Sequence, residues 1–343
     1  MKTKPVINLV LILFVLMGLS LTGCKKNSAS EPPFLSVVSG SVQSGSAGSL
    51  KAAEDGKQLA PDATVKTGAD GRALLTYKDG STISLLPDTE ITFPSGESII
   101  VKLTAGSVWT ASSENQITID AGGSTATGKQ VNFLTTKKGD EVSVSPTGGV
   151  VKFKAGGSEI EVPNGQISTS TGSAPSAPKA IEVKNAIHIN LKGEALVYLV
   201  DPLNRAIGYH PTQEMTTNQI PLGWYSGKEG RPQVISVVDV MEGEYTILLV
   251  AAGNQANWDI KIGSAGADLN YTDNDMSSSI TWGTPTGITM QVTLDAKGTP
   301  KLSLSDIWTL YEAPHGKATN LSDALKRTKI LVGPQQPPWT KVQ

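Results

Sequence analysis

From Phe34 to about Ser170 the chain alternates apolar and polar residues over short stretches. Ile99, Val101, Leu103 and Ala105 share one face, with Lys102 and Thr104 on the other. Ile117-Thr-Ile119, Val142-Ser-Val144, Val151-Lys-Phe153 and Ile160-Glu-Val162 repeat the pattern. A period of two, rich in Val, Ile and Thr, fits a strand with one buried face. Asp70-Gly71, Asp79-Gly80, Gly148-Gly149 and Asn164-Gly165 separate the stretches, and such dipeptides accept the backbone angles of tight turns. No helical period competes. The expectation is an all-β domain.

The same texture continues after a break. Thr171 to Pro178 is small and proline-rich and reads as a linker over residues 171–180. Beyond it the strands are longer: Ile187 to Leu191 alternates, Ala195 to Val200 is continuously apolar, and Val234 to Val240, Tyr245 to Val250 and Ile288 to Leu294 follow. That spacing predicts a β-sandwich over residues 181–333. One segment departs from it. Asn320 is placed to cap a short helix from Leu321 to about Lys329, with Asp323 early and Lys326, Arg327 and Lys329 late, as the helix dipole prefers. Residues 334–343 read as an irregular tail.

Cysteine usage narrows the stabilising forces. Cys24 is the only cysteine among 343 residues, so no disulfide and no cysteine metal site can form. The core has to do the work, and 38% hydrophobic residues with 35 glycines is an ordinary globular supply. Cys24 also ends a characteristic stretch. Lys2 and Lys4 precede an apolar run from Val6 to Leu21, followed by Thr22-Gly23-Cys24. A positive start, an apolar middle and small residues before a cut describe an export signal, shorter than the roughly 20 apolar residues a spanning helix needs. The cysteine after the small pair resembles the lipobox of bacterial lipoproteins. That resemblance implies cleavage of residues 1–23, diacylglycerol (and commonly palmitate) on Cys24, and a tether over residues 24–33. The expected location is extracytoplasmic, on a bacterial membrane. Lys25 is not an inner-membrane retention aspartate, so an outer membrane is allowed.

The stretch Thr64-Val-Lys-Thr67-Gly68-Ala-Asp70-Gly71-Arg72-Ala-Leu-Leu-Thr-Tyr77-Lys-Asp79-Gly80-Ser81-Thr-Ile-Ser-Leu85, continued by Leu86-Pro87-Asp88-Thr89, resembles the signature of the FecR protein domain. Leu103-Thr-Ala-Gly106-Ser-Val108 and Gly165-Gln166 look like its later strand and closing turn. The likeness spans residues 34–170. Ala126-Thr127-Gly128-Lys129 departs from the family's Arg-Gly-Thr. The namesake's relay to a cytoplasmic sigma factor needs a cytoplasmic segment and a spanning helix; with the N-terminal run read as a cleaved signal, that role is not expected to transfer in cis. What the resemblance implies is an extracytoplasmic β-domain that binds other proteins. Its Asp-Gly turns read as structure, not as a site.

In the second domain, Asp201-Pro202, Gly208-Tyr209, Ile220-Pro221, Trp224-Tyr225 and Gly243-Glu-Tyr245 resemble a small sandwich module of bacterial exported proteins, with Tyr245 expected at the sandwich edge. Trp224 and Tyr225, read as lying in a loop at one end, are the candidate binding patch. Asp268, Asn270, Asp273 and Asp275 crowd what reads as a loop, where calcium binding stays open, although no twelfth-position glutamate completes a calcium site.

Catalysis finds no support. His188, His210 and His315 are scattered, Gly45-Ser-Ala-Gly48 is one residue short of a nucleophile elbow, and no P-loop occurs. Net charge is -2 and no basic block exceeds Lys25-Lys26, Lys137-Lys138 or Lys326-Arg327, so nucleic acid is not an expected partner. No cofactor or metal is expected. The reading is a non-enzymatic, lipid-anchored envelope protein that binds or scaffolds, with an envelope protein or glycan as partner. The alternatives are an accessory sensor handing a signal to a separate transmembrane protein, and a glycan-acting enzyme with an unrecognised carboxylate pair.

Overall fold

The computed structural model describes residues 32–94, 99–210, 215–230, 232–267, 271–281 and 286–309. Cys24, the signal segment, most of the tether, Trp282, His315, the 321–329 helix and the tail lie outside them. Among the described residues every regular element is a strand, as the alternation dictates. No helix among them is long and apolar enough to cross a membrane.

The first unit is two facing sheets. In spatial order, one runs Lys57–Gln58, Phe34–Ser39, Arg72–Thr76, Thr82–Leu85, the second half of Ile99–Ala111, Asn132–Lys138, Glu141–Gly148, Gln166–Ser170 and Lys179–Ala180. The other runs Ser49–Ala52, Val42–Ser46, Thr64–Thr67, Glu90–Thr92, the first half of Ile99–Ala111, Ile117–Asp120, Ser124–Gly128, Val150–Ala155 and Ser158–Pro163. The 13-residue strand Ile99–Ala111 belongs to both. Between the sheets lies a core that includes Leu75, Ile83, Val101, Leu103, Val108, Phe133 and Phe153.

Several of the residues that carry the sequence resemblance sit where the chain crosses between these sheets. Gly106, where Ile99–Ala111 changes sheet, has a φ of +90°, and a Cβ there would stand 2.5 Å from Thr89 Cα. Only glycine fits. This is also why Ala105 is exposed, although the alternation placed it on the buried face. Thr89 is fully buried; its hydroxyl donates to Ser107 O (3.0 Å) and accepts from Ser107 N (2.9 Å). Thr67, also buried, donates to Leu86 O at 2.7 Å and accepts from Thr89 N at 2.9 Å. Asp79 accepts from Ser81 N (3.0 Å), Ser81 Oγ (2.8 Å) and Asn115 N (3.1 Å), tying the turn to a distant loop. These polar residues satisfy backbone groups that a sheet corner would otherwise strand.

The second unit is a sandwich. One sheet runs Gly223–Tyr225, Gln233–Val238, Asn185–Gly193, Gln255–Gly266 and Thr272–Thr281. The other runs Met215–Asn218, Ala206–His210, Ala195–Val200, Gly243–Ala251, Thr286–Leu294 and Pro300–Leu304, with Trp308–Thr309 also on Thr286–Leu294. Ile187, Ile189, Val197, Leu199, Ile247 and Trp258 help to fill the core between them. Tyr245 is not at the sandwich edge, as expected from the sequence, but in this core at 1% exposure. Its hydroxyl donates back to Met241 O at 3.2 Å, the tyrosine-corner arrangement.

Residues 171–180 fold back on their neighbours. Ser176 N donates to Thr169 O at 2.8 Å, the Ser168 hydroxyl donates to Ser176 O at 2.8 Å, and Lys179–Ala180 pairs with Gln166–Ile167.

The two units also touch elsewhere. On the outer face of the first sheet, one cross-strand row reads Ser36, Leu74, Ser84, Trp109, Leu134, Ser145. Over it lies the segment that carries the sandwich chain from one sheet to the other. Thr82 Oγ1 donates to Asn218 O at 3.3 Å, Ser84 Oγ to Gln219 O at 3.2 Å and Thr147 Oγ1 to Gly223 O at 3.2 Å. Trp109 lies among these contacts, is fully buried, and is no member of the inner core.

Burial fixes the charge state of a histidine in the sandwich. His210 is fully buried, and desolvation pushes its imidazole down to about 4. The unfolded chain takes up this proton near pH 6.5, while the native state resists until about 4. The stability contributed is therefore complete above pH 6.5 and is lost as pH falls through that window. His210 alone is expected to cost about 2 kcal/mol between pH 7 and pH 5. Urea titrations at both pH values check this, and in His210→Gln the pH dependence should shrink by a similar amount.

Candidate binding surface

Trp224 and Tyr225 are not in a loop. They form the short edge strand Gly223–Tyr225, paired with Gln233–Val238. A turn closed by Gly223 N to Ile220 O (3.0 Å) delivers the chain to it. Alternation then sends the two rings to opposite faces. Tyr225 turns inward against the sandwich core, and its hydroxyl donates to Gln233 Oε1 at 2.7 Å. Gln233 Nε2 in turn donates to Ala195 O (2.9 Å) of the opposite sheet. Tyr225 thus stitches the sandwich. Trp224 turns outward and is half-buried, and a Cβ on Gly148 of the first unit would stand 3.4 Å from its Cδ1.

The outward row through Trp224 continues across the five-stranded sheet as Ser236, His188, Gly263 and Asp273. His188 and Asp273 stand on strands separated by a third, yet His188 Nε2 lies 3.0 Å from Asp273 Oδ1. Gly263, between them, makes this reach possible. A Cβ there would collide with the Asp273 carboxylate and approach His188 Nε2 to 2.8 Å. Burial, together with the nearby Lys261, lowers the His188 pKa although Asp273 acts to raise it. The imidazole is therefore neutral at pH 7 and donates its Nε2 proton to the carboxylate. Tyr271 lies over it with ring centroids 4.1 Å apart at 52°, and its hydroxyl bonds the Ser236 side chain. Burial raises the Tyr271 pKa, so that hydroxyl keeps its proton. Tyr271 remains 37% exposed, one of few large apolar side chains so placed among the described residues.

Two further outward rows lie beyond. The next contains Val234, Asn190, Lys261 and Asp275, and the one after it Lys192, Asp259 and Ser277. Rows two residues apart are separated by about 7 Å. These two rows line a cleft of about 330 Å³ with Ile260 and Met276. Lys261 Nζ stands 3.4 Å from Asp275 Oδ1. Asn190 Oδ1 is buried without a hydrogen-bond partner.

This geometry corrects the acidic-loop reading. Asp273 and Asp275 lie on the edge strand Thr272–Thr281, and each faces a cationic or imidazole partner across the sheet. Asp268 and Asn270 are outside the described residues. No group of three or more His, Cys, Asp or Glu able to hold a metal occurs among the described residues. His188 was legible as outward-facing; its link to Asp273 was not, although a lone glycine inside a long strand signals a close approach. Asp259 and Asp275 line one cleft diagonally, with Lys261 Nζ beside Asp275.

A two-layer β-domain followed by a sandwich with a polar outer cleft is the class of protein these observations define. Within it, residues 63–152 match the FecR protein family, inside the span of the sequence resemblance. No curated protein matches the chain. Two crystal structures of a candidate anti-sigma factor from Parabacteroides distasonis ATCC 8503, at 1.65 and 2.50 Å resolution, are similar at 12% identity. Each covers 34% of this chain, with a TM-score of 0.31. The chain spans 59% of the length of that protein.

Proposed function

We propose that this chain is a lipid-anchored, non-enzymatic binding protein of the bacterial cell envelope, held through Cys24 at an extracytoplasmic membrane surface. The observation that carries the binding role is the outer face of the five-stranded sheet. It combines an exposed ring, an ordered His188–Asp273 pair and a polar cleft on rigid strands. The FecR-like domain acts as the mount: its outer sheet face bonds the crossover segment beneath Trp224 through Thr82, Ser84 and Thr147. Strands hold such a surface more precisely than loops. The membrane attachment rests on the Leu21-Thr22-Gly23-Cys24 string. Two acyl chains suffice for stable anchoring where one is marginal.

The match to the FecR family favours a second reading, an accessory sensor that passes an envelope signal to a separate transmembrane partner. The two readings share the anchor. Intact-mass analysis of the membrane-extracted protein should find Cys24 as first residue, carrying diacylglycerol. Cys24→Ala should accumulate as uncleaved precursor. An unlipidated Cys24 in the wild type would end the anchoring proposal. Crosslinking in intact envelopes separates the readings: dependence on Tyr271 and Trp224 supports binding at the sandwich face, whereas a crosslink from the FecR-like domain to a spanning protein supports the sensor.

A further inference from the structure

We infer that the cleft lined by Asn190, Lys192, Asp259, Lys261 and Asp275 is a subsite for a neutral saccharide, with the Tyr271 ring as its platform. The inference rests on the binding reading above and names its ligand.

Charge is the first argument. Two lysines and two aspartates line the cleft, interleaved across adjacent strands. Their charges cancel, and Lys261 and Asp275 already compensate each other at 3.4 Å. Neither an anionic nor a cationic ligand gains net attraction there. A ligand whose groups both donate and accept does gain, because each hydroxyl can give a proton to Asp259 or Asp275 and take one from Lys192, Lys261 or the Asn190 amide. Hydrogen bonds with a charged partner are stronger than neutral ones. A neutral polyhydroxylated ring is the chemistry that uses all of them together.

Shape is the second argument. At about 330 Å³ the cleft holds one or two sugar rings, near the lower end of the ~300–1,000 Å³ typical of small-ligand sites. Its floor is a continuous sheet, so the polar groups stand in fixed rows. Beside the cleft lining, Tyr271 is 37% exposed, with its ring tilted over His188 and its hydroxyl bonded to Ser236. Such a ring stacks on an apolar ring face at small entropic cost, having only two side-chain torsions. The cleft lining has no large exposed apolar side chain to anchor a peptide; apart from Tyr271 beside it, only Ile100 and Val150 of the first unit are large, apolar and exposed among the described residues. A third observation is Asn190 Oδ1, an acceptor closed off beneath the cleft with no hydrogen-bond partner, which a ligand meets only if the Asn190 side chain turns. Buried orphan polar groups are costly and uncommon in native folds.

The test is titration of the signal-free protein, by calorimetry, with cellotetraose, chitotetraose, maltotetraose and mannotetraose. At least one should bind saturably, with an affinity that varies less than twofold between 50 and 500 mM salt. Tyr271→Ala and Asp259→Asn should each weaken it at least tenfold with unchanged melting temperature, while Lys66→Met, on the first unit, leaves it unchanged. Should a variant lose stability, Asp275→Asn and Lys192→Met provide the same comparison. The inference is overturned if none of the four binds, if the bound species is instead an acidic or basic peptide with strong salt dependence, or if the cleft variants bind as wild type. Tyr271-dependent crosslinking in envelopes that persists without any saccharide binding would remove this inference and leave the binding reading standing.

Discussion

Asp201→Ala is expected to destabilise the sandwich by about 3–5 kcal/mol, the range for breaking a buried ion pair from one side. Asp201 and Arg205 are 3% and 7% exposed. The carboxylate accepts from Leu203 N (2.9 Å), Arg205 N (2.8 Å), Arg205 Nε (2.7 Å) and Arg205 Nη2 (2.6 Å). Alanine strands all four donors and leaves a guanidinium with no counter-charge. A second cation aggravates this. Burial and the nearby Arg205 already lower the Arg72 pKa, and Asp201 is the group that offsets them. Urea unfolding measures the loss. Asp201→Ala with Arg205→Met should recover most of it, since removing both charges removes the stranded one. A loss under 1 kcal/mol for the single variant would show that the pair is solvated after all.

Much of this turn was written in the sequence, though only as a string. Asp201-Pro202, Gly208 and Gly243-Glu-Tyr245 stood out, but their purpose is spatial. Gly243 has a φ of +134°, and a Cβ there would approach Pro202 Cβ to 2.8 Å, so two segments 41 positions apart meet face to face. The all-β class was legible because each half-buried strand carries its own period, which needs no partner to be read. Sheet membership was not. Ile99–Ala111 reads as one alternation with a glycine, yet it serves two sheets, because the crossing is set by Thr89 and Asp88 closing against Gly106. The acidic segment misled for a related reason. Asp, Asn and Ser are poor strand formers, but an edge strand tolerates and even profits from charge that discourages pairing with other chains. Thr272–Thr281 is such an edge. The outer cleft was invisible since its rows pair Asn190 with Lys261 and Lys192 with Asp259, far apart in the chain, and no local pattern encodes that. Trp224 and Tyr225 read alike in the sequence, but a strand sends neighbours to opposite faces: Trp224 turns outward and is half-buried, and Tyr225 packs on the sandwich core.

Trp109→Ala is expected to lose about 3–5 kcal/mol, the usual cost of truncating a buried tryptophan, and to uncouple the two units. Trp109 is fully buried on the outer, not the inner, face of its sheet. Around it run the three side-chain bonds to Asn218 O, Gln219 O and Gly223 O. Those bonds are long, 3.2–3.3 Å, and each contributes only about 1 kcal/mol net. The indole supplies the apolar burial that holds the surfaces together long enough for them to form, with an Nε1 that has no partner and so adds nothing polar. Wild type should therefore melt in one calorimetric transition, and Trp109→Ala in two, with van't Hoff and calorimetric enthalpies diverging. Trp258→Ala is the control. Trp258 is equally large and 2% exposed, but sits in the sandwich core. Its loss should lower stability without separating the transitions by the same route. If Trp109→Ala still melts in a single transition of full enthalpy, the units are coupled elsewhere, and the paired segment at residues 171–180 becomes the place to cut next.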